Sequence, residues 1–435
     1  MSRSIRIGMI GFGVVGQGLM RLLSERGEEM EARLGGKLEI VKIAVRDTSR
    51  KREASVDPGI LTDSIDEILD DPSIQIVVEL AGGVDEPAAW MRRALESGKH
   101  IVTANKAVIA EKGEELIALA EEKHRFLLFE AAVAGGIPIL RVLREALTGD
   151  RIVRLHGIVN GTSNYILSRM ASANLAFEPA LREAQLKGFA EADPSLDING
   201  GDACHKLAIL ARLAFLADIE PSAIPTQGID IVSARDMEFA LDFGYVIKPL
   251  AIGARLNGAL DLRVHPALVP VDSHLAHIHG ATNAIYLEGE HLGPVMFSGE
   301  GAGAYPTAVS VAGDLFEVAR AILSGSDDRA TPPYGVPLRA LKKLPQLPAE
   351  ELKTPFYLRL TVEDDAGVLA DVASALARHR VSIETILQTV DDEEGIATIV
   401  LLTHEAFEHA VGAAVSELSR HSALREQPVL LRIVR

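Results

Sequence analysis

Residues 5–18 read IRIGMIGFGVVGQG, and this stretch decides the first domain. Ile5–Ile10 is a short run of mainly apolar residues. Gly11, Gly13 and Gly16 then follow in GxGxxG spacing and lead into apolar positions at helical intervals. The first glycine permits a tight turn, the second lets the backbone approach a pyrophosphate, and the third allows the helix to pack against the strand. The free N–H groups and positive dipole end of the helix would face the phosphates. Such glycines also occur in plain turns, but the preceding strand, the following helix and the N-terminal position all favour dinucleotide binding. Gly11, Phe12, Gly13, Val14, Val15 and Gly16 are the first candidate cofactor contacts.

Outward from that turn, residues 1–131 alternate short apolar runs with amphipathic ones. Ile5–Ile10, Leu38–Val45, Ile74–Leu80, His100–Thr103 and Phe126–Phe129 are expected as strands, with helices such as Val14–Arg26, Pro87–Ser97 and Gly113–Glu122 between them. Continuous apolar strands are buried on both faces, and helical crossovers imply a parallel sheet. The expectation is a doubly wound, Rossmann-type α/β nucleotide-binding domain. Its second strand runs into IAVRDTSRKR (43–52). A ribose-binding acid normally stands about 20 residues past the glycines, but Gly27–Lys37 lengthens the spacing here. Arg46 takes the strand end, with Lys51 and Arg52 close by. A cation there suits a 2′-phosphate and favours NADP, while Asp47 keeps NAD open. A solvated basic turn is the alternative.

Residues 132–325 read differently. A helix is expected near Ile139–Leu147, strands at Ile152–Val159, Ala251–Leu256 and Ala284–Leu287, and long apolar helices at His205–Phe215 and Thr307–Ile322. That mixture is α+β. Residues 326–354 are rich in proline with little periodicity and read as a linker. From 355 to 435 the order is strand (Phe356–Val362), helix (Val368–His379), two strands (Ile383–Thr389, Ile396–Leu402), helix (Glu405–Leu418) and strand (Val429–Val434). This is the βαββαβ, ferredoxin-like unit.

A net charge of −17 argues against a nucleic-acid binder, which needs a basic face. Cys204 is the only cysteine, which excludes an internal disulfide and a cysteine-based zinc site and suits a reducing cytoplasm. No apolar run reaches about 18 residues, so no membrane span is expected, and the N-terminus shows no apolar signal core.

Thr103 and Lys106 follow the fourth strand at the carboxyl edge, where open α/β sheets bind ligands. Lys106 could reach a nicotinamide or a substrate oxygen; a solvated helix-start lysine has the same pattern. FEAAVAGGIPIL (129–140) leaves backbone groups uncovered, as an ion cradle or a tight interdomain turn would. Asn160, Thr162 and Ser163 suit either helix caps or substrate contacts. Within AEADPSLDINGGDACHKLAIL (190–210), the breakers put Glu191 on a loop. Asp202 opens a helix and Lys206 lies one turn on, on the same face. Because Leu207–Leu216 is nearly all apolar, that helix is expected to be buried. A buried lysine beside carboxylates is a candidate for proton transfer. Cys204 reads as filler, and Asp193 and Asp197 as loop-shaping acids. His274, His277 and His279 in HLAHIHG do not share one face of a strand, so an ordinary strand rather than a zinc site is expected.

GFGVVGQG, TANKAVIA, EAAVAGGIPIL, GIVNGTSNYIL, KGFAEADPSLDINGGDACHKLAILA and GEGAGAYPTA together resemble the homoserine dehydrogenase family, end to end and in order. The region from about 355 resembles an ACT domain, with Ala366 replacing the proline of that family's usual turn. The resemblance implies a catalytic and dimerisation role for residues 132–325. It implies NAD(P)-dependent hydride transfer between L-homoserine and L-aspartate 4-semialdehyde, in threonine, methionine and isoleucine biosynthesis. Lys206 would be the acid–base lysine, with Lys106 near the reacting carbonyl. Glu191 and Asp202 would bind the substrate ammonium, and Gly188 would touch the cofactor. Backbone atoms of Glu130, Val133, Gly135 and Ile137 would hold a structural sodium ion. Leu196 stands where some members carry an additional Asp beside Asp197. A lysine with its pKa lowered by burial or by a second lysine could then move the proton. The C-terminal region implies feedback by a pathway amino acid, threonine foremost, and a homodimer or homotetramer. The alternatives are another Rossmann dehydrogenase of aspartate metabolism, whose phosphorylating form would need a better-placed thiolate than Cys204, and a non-catalytic NADP and amino-acid sensor.

Overall fold

The computed structural model describes residues 3–54, 56–391 and 395–434. The chain divides into two compact units. The first comprises Met1–Leu155, His205–Ala223 and Asn283–Lys343; the second comprises His156–Cys204, Ile224–Thr282 and Leu344–Arg435.

The chain begins β1 (Arg3–Ile10), α1 (Val14–Leu34), β2 (Gly36–Ala44), β3 (Leu61–Thr62), α2 (Asp66–Leu69), β4 (Ile76–Glu79), α3 (Asp85–Glu96), β5 (His100–Thr103), α4 (Lys106–Glu122) and β6 (Leu127–Leu128). The strands form one sheet in the order β3-β2-β1-β4-β5-β6, and every pairing in it is parallel. This is the doubly wound nucleotide-binding order, with its reversal beside β1. Ile7, Met9, Ile76, Val78 and Val102 are enclosed because helices cover both faces.

The chain continues with α5 (Ile139–Arg141), β7 (Ile152–Ile158), α6 (Gly161–Ala173), α7 (Phe177–Leu186), α8 (Ser195–Ile198), α9 (Gly201–Phe215), α10 (Ala234–Asp242), β8 (Tyr245–Leu256), β9 (Ala259–Pro270), β10 (Thr282–Gly289), β11 (Gly293–Glu300) and α11 (Ala304–Ser324). The helix expected over 139–147 passes from α5 into a π-helical turn at Val142–Ala146. In the first unit α11 packs its Ala308, Val311, Leu315 and Val318 into the core of the parallel sheet. The linker segment is docked there too. Tyr334 is 2% exposed, and Arg212 donates to its hydroxyl at 3.4 Å.

HLAHIHG is not the ordinary strand expected of it. His274–His277 form a 3-10 turn capped by Ser273, whose hydroxyl accepts from the Leu275 amide at 3.3 Å. Pro270, Asp272 and Ser273 are turn formers that end β9 and redirect the chain.

The chain closes with β12 (Lys353–Thr354), β13 (Phe356–Glu363), α12 (Val368–Arg378), β14 (Ile383–Asp391), β15 (Ile396–Thr403), β16 (Ala406–Phe407), α13 (Glu408–Leu418) and β17 (Val429–Ile433). The order β17-β13-β15-β14 with antiparallel pairing is that of a βαββαβ unit. Alternation explains its apolar strands. Phe356, Leu358, Leu360, Ile399 and Leu401 pack with α12 and α13, while Tyr357, Val400, Leu402 and Leu431 pack with α6, α7 and α10. Among the described residues no helix is long and apolar enough to cross a membrane.

Candidate functional site

In the first unit the glycine turn opens onto a cleft of about 1210 Å³. Gly11 has φ +96°, and a Cβ there would stand 2.8 Å from the Leu80 main chain. A Cβ on Gly16 would meet the Gly11 carbonyl at 2.8 Å, so this glycine seats the helix. A Cβ on Gly13 would find no atom within 4 Å, which leaves its backbone open to a ligand. The cradle therefore fits a dinucleotide pyrophosphate by geometry as well as by spacing. Gly11, Phe12, Gly13, Val14 and Arg46 line the cleft, while Val15 and Gly16 pack inward.

Beyond β2 the loop carries its cations over the same cleft. The Arg52 guanidinium stands 5.7 Å from the Phe12 ring centre and donates to the Asp47 carbonyl at 2.7 Å and the Arg50 carbonyl at 2.8 Å. The Asp47 carboxylate instead turns into its own loop, accepting from the Ser49 hydroxyl at 2.6 Å and amide at 2.8 Å. Those bonds hold its carboxyl below the usual range.

At the carboxyl ends of β4 and β5 lies a group that the sequence reading missed. Glu79 is fully buried; one of its oxygens accepts from Thr103 Oγ1 and the other from the Ala81 amide, each at 2.7 Å. Burial pushes its carboxyl up to about 7. Asn105 caps α4 through the Val108 amide at 3.2 Å and donates to the Gly83 carbonyl at 2.9 Å. This scaffold fixes the start of α4, where Lys106 is half-buried. A charged residue closing the apolar run IQIVVEL was the available signal.

The segment Glu130–Ile137 turns through two left-handed residues, Ala134 (φ 55°) and Gly135 (φ 49°). The Glu130 carboxylate accepts from the Leu140 and Arg141 amides at 2.8 and 2.7 Å, which fixes its orientation. The Gly135 carbonyl accepts from Ser310 Oγ at 2.6 Å and keeps a second lone pair. Main-chain oxygens of this kind suit a hard cation. No cluster of three or more His, Cys, Asp or Glu that could hold a metal occurs among the described residues.

The acidic group lies in the second unit. Asn160 caps α6, accepting from the Ser163 amide at 2.7 Å, and its Nδ2 donates to Asp197 Oδ1 and Asp202 Oδ2, each at 2.7 Å. It is therefore both a cap and a carboxylate clamp, and it draws Asp197 into the group. Ser163 Oγ donates to the Asp197 carbonyl at 2.8 Å and Thr162 Oγ1 to the Phe189 carbonyl at 2.6 Å, tying the loop to α6. Asp202 is 3% exposed. Glu191 is exposed on the loop, as is Gly188 with φ +76°. Asp193 shapes the loop, accepting from the Ser195 amide at 3.1 Å. Cys204 is buried and its thiol pushed up by that burial, so it is no ready nucleophile.

Helix α9 is enclosed from Leu207 to Ala211, as the apolar run required, but Lys206 is half-buried rather than buried. Full enclosure resumes one residue later, at Leu207. A buried carboxylate oriented by Asn160, with a half-buried lysine one helical turn on, can bind a cation and exchange a proton.

Three stretches match known families: residues 11–130 the homoserine dehydrogenase NAD-binding domain, 138–316 homoserine dehydrogenase, and 356–422 the ACT domain. The chain is 39% identical over 432 residues to homoserine dehydrogenase of Pseudomonas aeruginosa, covering 99% of each. It matches the crystal structure of a homoserine dehydrogenase from Thiobacillus denitrificans with TM-score 0.93 and 40% identity, over 100% of this chain and 99% of that one. A hyperthermophilic archaeal homoserine dehydrogenase in complex with NADPH matches with TM-score 0.61 and 27% identity, over 72% of this chain and 97% of that one. A glycine turn open to a dinucleotide and an acidic group clamped at the start of α9 are thus joined to full-length likeness, and the chain belongs to the homoserine dehydrogenase family of oxidoreductases.

Proposed function

We propose that the protein interconverts L-homoserine and L-aspartate 4-semialdehyde with NADP in preference to NAD, within threonine, methionine and isoleucine biosynthesis. The observation that carries this reading is the Asn160 amide, whose Nδ2 stands 2.7 Å from both Asp197 and Asp202 at the start of the helix bearing Lys206. Asp202, with Glu191 from the loop, binds the substrate ammonium. Lys206 takes the hydroxyl proton during oxidation and returns it during reduction, and Lys106 supports the developing carbonyl. A bound nicotinamide supplies the hydride chemistry. Gly11, Phe12, Gly13, Val14 and Lys106 make up its binding surface; Val15 and Gly16 seat the helix, and the fully buried Thr103 holds Glu79 behind it.

The NADP preference rests on Arg46, Lys51 and Arg52 around the cleft and on Asp47 being turned into its own loop. The NADPH complex of the archaeal relative agrees with it. Carbonyls of Glu130, Val133, Gly135 and Ile137 hold a sodium ion; the left-handed turn at Ala134 and Gly135 supports that reading. In this division of labour residues 1–131 bind cofactor, 132–325 bind substrate and form the dimer or tetramer, 326–354 connect, and 355–435 receive threonine. A lone buried cysteine fits work in the cytoplasm.

The test is a rate assay with L-homoserine and each nicotinamide, on the wild type and on Lys206→Ala. A loss of at least about a hundredfold in kcat is expected for removing a general base. Near wild-type oxidation by Lys206→Ala would overturn the assignment.

A further inference from the structure

Arg50, Lys51 and Arg52 line the nucleotide cleft from a loop that has little packing of its own. From Arg46 to Glu53 its residues are exposed, apart from the half-buried Arg52, and burial resumes at Ala54. Its own bonds are internal. The Asp47 carboxylate accepts from Ser49, and Arg52 donates to the Asp47 and Arg50 carbonyls. Such bonds give the loop a shape without fixing where it lies.

Its place is set from α1. Gln17, one helical turn beyond Gly13, is half-buried in the wall of the same cleft. Gln17 Oε1 accepts from the Glu53 amide at 2.8 Å and from the Ala54 amide at 3.2 Å, and its Nε2 donates to the Gly13 carbonyl at 3.4 Å. One side chain therefore joins the turn that faces the pyrophosphate to the end of the cation loop. Two further links run from the loop to α1 and its turn among the described residues. Arg52 lies 5.7 Å from the Phe12 ring centre, and Arg21 meets Glu53 at 3.5 Å, with the Glu53 side chain 84% exposed. Contacts of both kinds contribute little at a wet surface.

We propose that Gln17 is a positioning residue for cofactor choice: it holds Arg50, Lys51 and Arg52 against the glycine turn, where they meet a 2′-phosphate. The proposal rests on the NADP preference given above. A phosphate gains most from cations already in place, because none of its binding energy is then used to order them. Without the Gln17 oxygen the Glu53 and Ala54 amides lose their acceptor, and the loop is no longer pinned to α1. The glycine turn keeps its shape, since the Gln17 backbone amide still donates to the Gly13 carbonyl at 3.0 Å. The loss thus falls on the 2′-phosphate and not on the pyrophosphate.

Calorimetric titration of the full chain with adenosine 2′,5′-bisphosphate and adenosine 5′-phosphate tests this on the wild type, Gln17→Ala and Gln17→Met. Alanine and methionine both suit a helix, and methionine keeps the length of the side chain while offering the two amides only a weak acceptor. The wild type should bind the bisphosphate more tightly. In both variants the ratio of the two affinities should fall about tenfold, the worth of roughly one hydrogen bond, with the monophosphate within about twofold of wild type. Steady-state rates read the same split, as a raised KM for NADP with kcat retained. Equal weakening of the two probes overturns the proposal, because Gln17 would then support the whole turn. A wild-type ratio in Gln17→Met also overturns it, because packing and not the bonds would place the loop. If the wild type itself binds both probes equally, the NADP preference falls and the proposal with it. If the wild type discriminates and both folded variants discriminate as well, the proposal alone falls.

Discussion

Asn160 holds Asp202: the amide nitrogen that caps nothing itself stands 2.7 Å from Asp202 Oδ2, while the oxygen of the same side chain caps α6. One residue thus fixes a helix start and a buried carboxylate together. Asn160→Asp keeps the capping oxygen but replaces the donor with a third negative group. Stability should also fall, by about 3–5 kcal/mol at neutral pH, because the new carboxylate is buried against two others without the bonds that Nδ2 made. Homoserine kcat/KM should fall about tenfold to a hundredfold, mostly through KM, as expected for the lost charge-assisted bonds to Asp197 and Asp202 beside a new repulsion. Steady-state kinetics with thermal melts checks this; a variant with wild-type KM contradicts the clamp.

The cations beyond β2 make a cofactor prediction. Arg46 lines the cleft and Arg52 lies over Phe12, whereas the Asp47 carboxylate is held by Ser49. Arg46→Ala should raise the KM for NADP about tenfold and leave that for NAD within about twofold, since only the phosphate loses a partner. Equal effects on the two cofactors would contradict 2′-phosphate recognition.

The legible parts of this protein were those that a few residues decide locally. The glycine spacing, the alternation of apolar runs and the βαββαβ order led to the sheet orders that the chain adopts. What escaped depends on tertiary partners. Nothing near Asn160 in sequence announces that Asp197 and Asp202 return to it across a long loop. Glu79 looked like the polar end of a strand until Thr103 arrived beside it. Lys206 was expected to share the burial of the turns after it, but it is half-buried between the enclosed Asp202–Cys204 and Leu207–Ala211. HLAHIHG was expected to continue as a strand, but the turn chemistry of Pro270 to Ser273 ends β9 and sets His274–His277 in a 3-10 turn.

Glu79 predicts a pH dependence of stability. Its folded carboxyl titrates near 7, raised by burial from 4.5. Below pH 4.5 both states are protonated and the group contributes nothing. Between 4.5 and about 7 only the unfolded chain ionises, so stability falls with rising pH, and above 7 the penalty is complete. The shift corresponds to roughly 3 kcal/mol. Glu79→Gln removes this group's share of the slope. Denaturation at pH 5 and pH 8 should therefore show a smaller stability difference in the variant; an unchanged difference would assign the titration elsewhere.

Asp236 ties α10 to β13 in the second unit and gives a further stability prediction. It is fully buried. One oxygen accepts from Tyr357 Oη and Arg359 Nε, each at 2.7 Å, and the other from the Ser233 amide at 2.9 Å and hydroxyl at 2.6 Å. Burial together with Asp236 pushes the Tyr357 hydroxyl up, so it remains a donor. Asp236→Ala leaves the buried Arg359 guanidinium with only the exposed Glu426 carboxylate at 3.4 Å and unmakes the capping box of α10. Loss of one partner of a buried pair costs about 3–5 kcal/mol. The double variant Asp236→Ala with Arg359→Met removes both charges and should recover a large part of that loss, because the buried cation left with only a solvent-exposed partner, rather than the missing bond, dominates the penalty. Urea denaturation followed by circular dichroism compares the two. A double variant no more stable than Asp236→Ala alone would show that the helix cap and the tyrosine bond, not the buried charge, carry the energy.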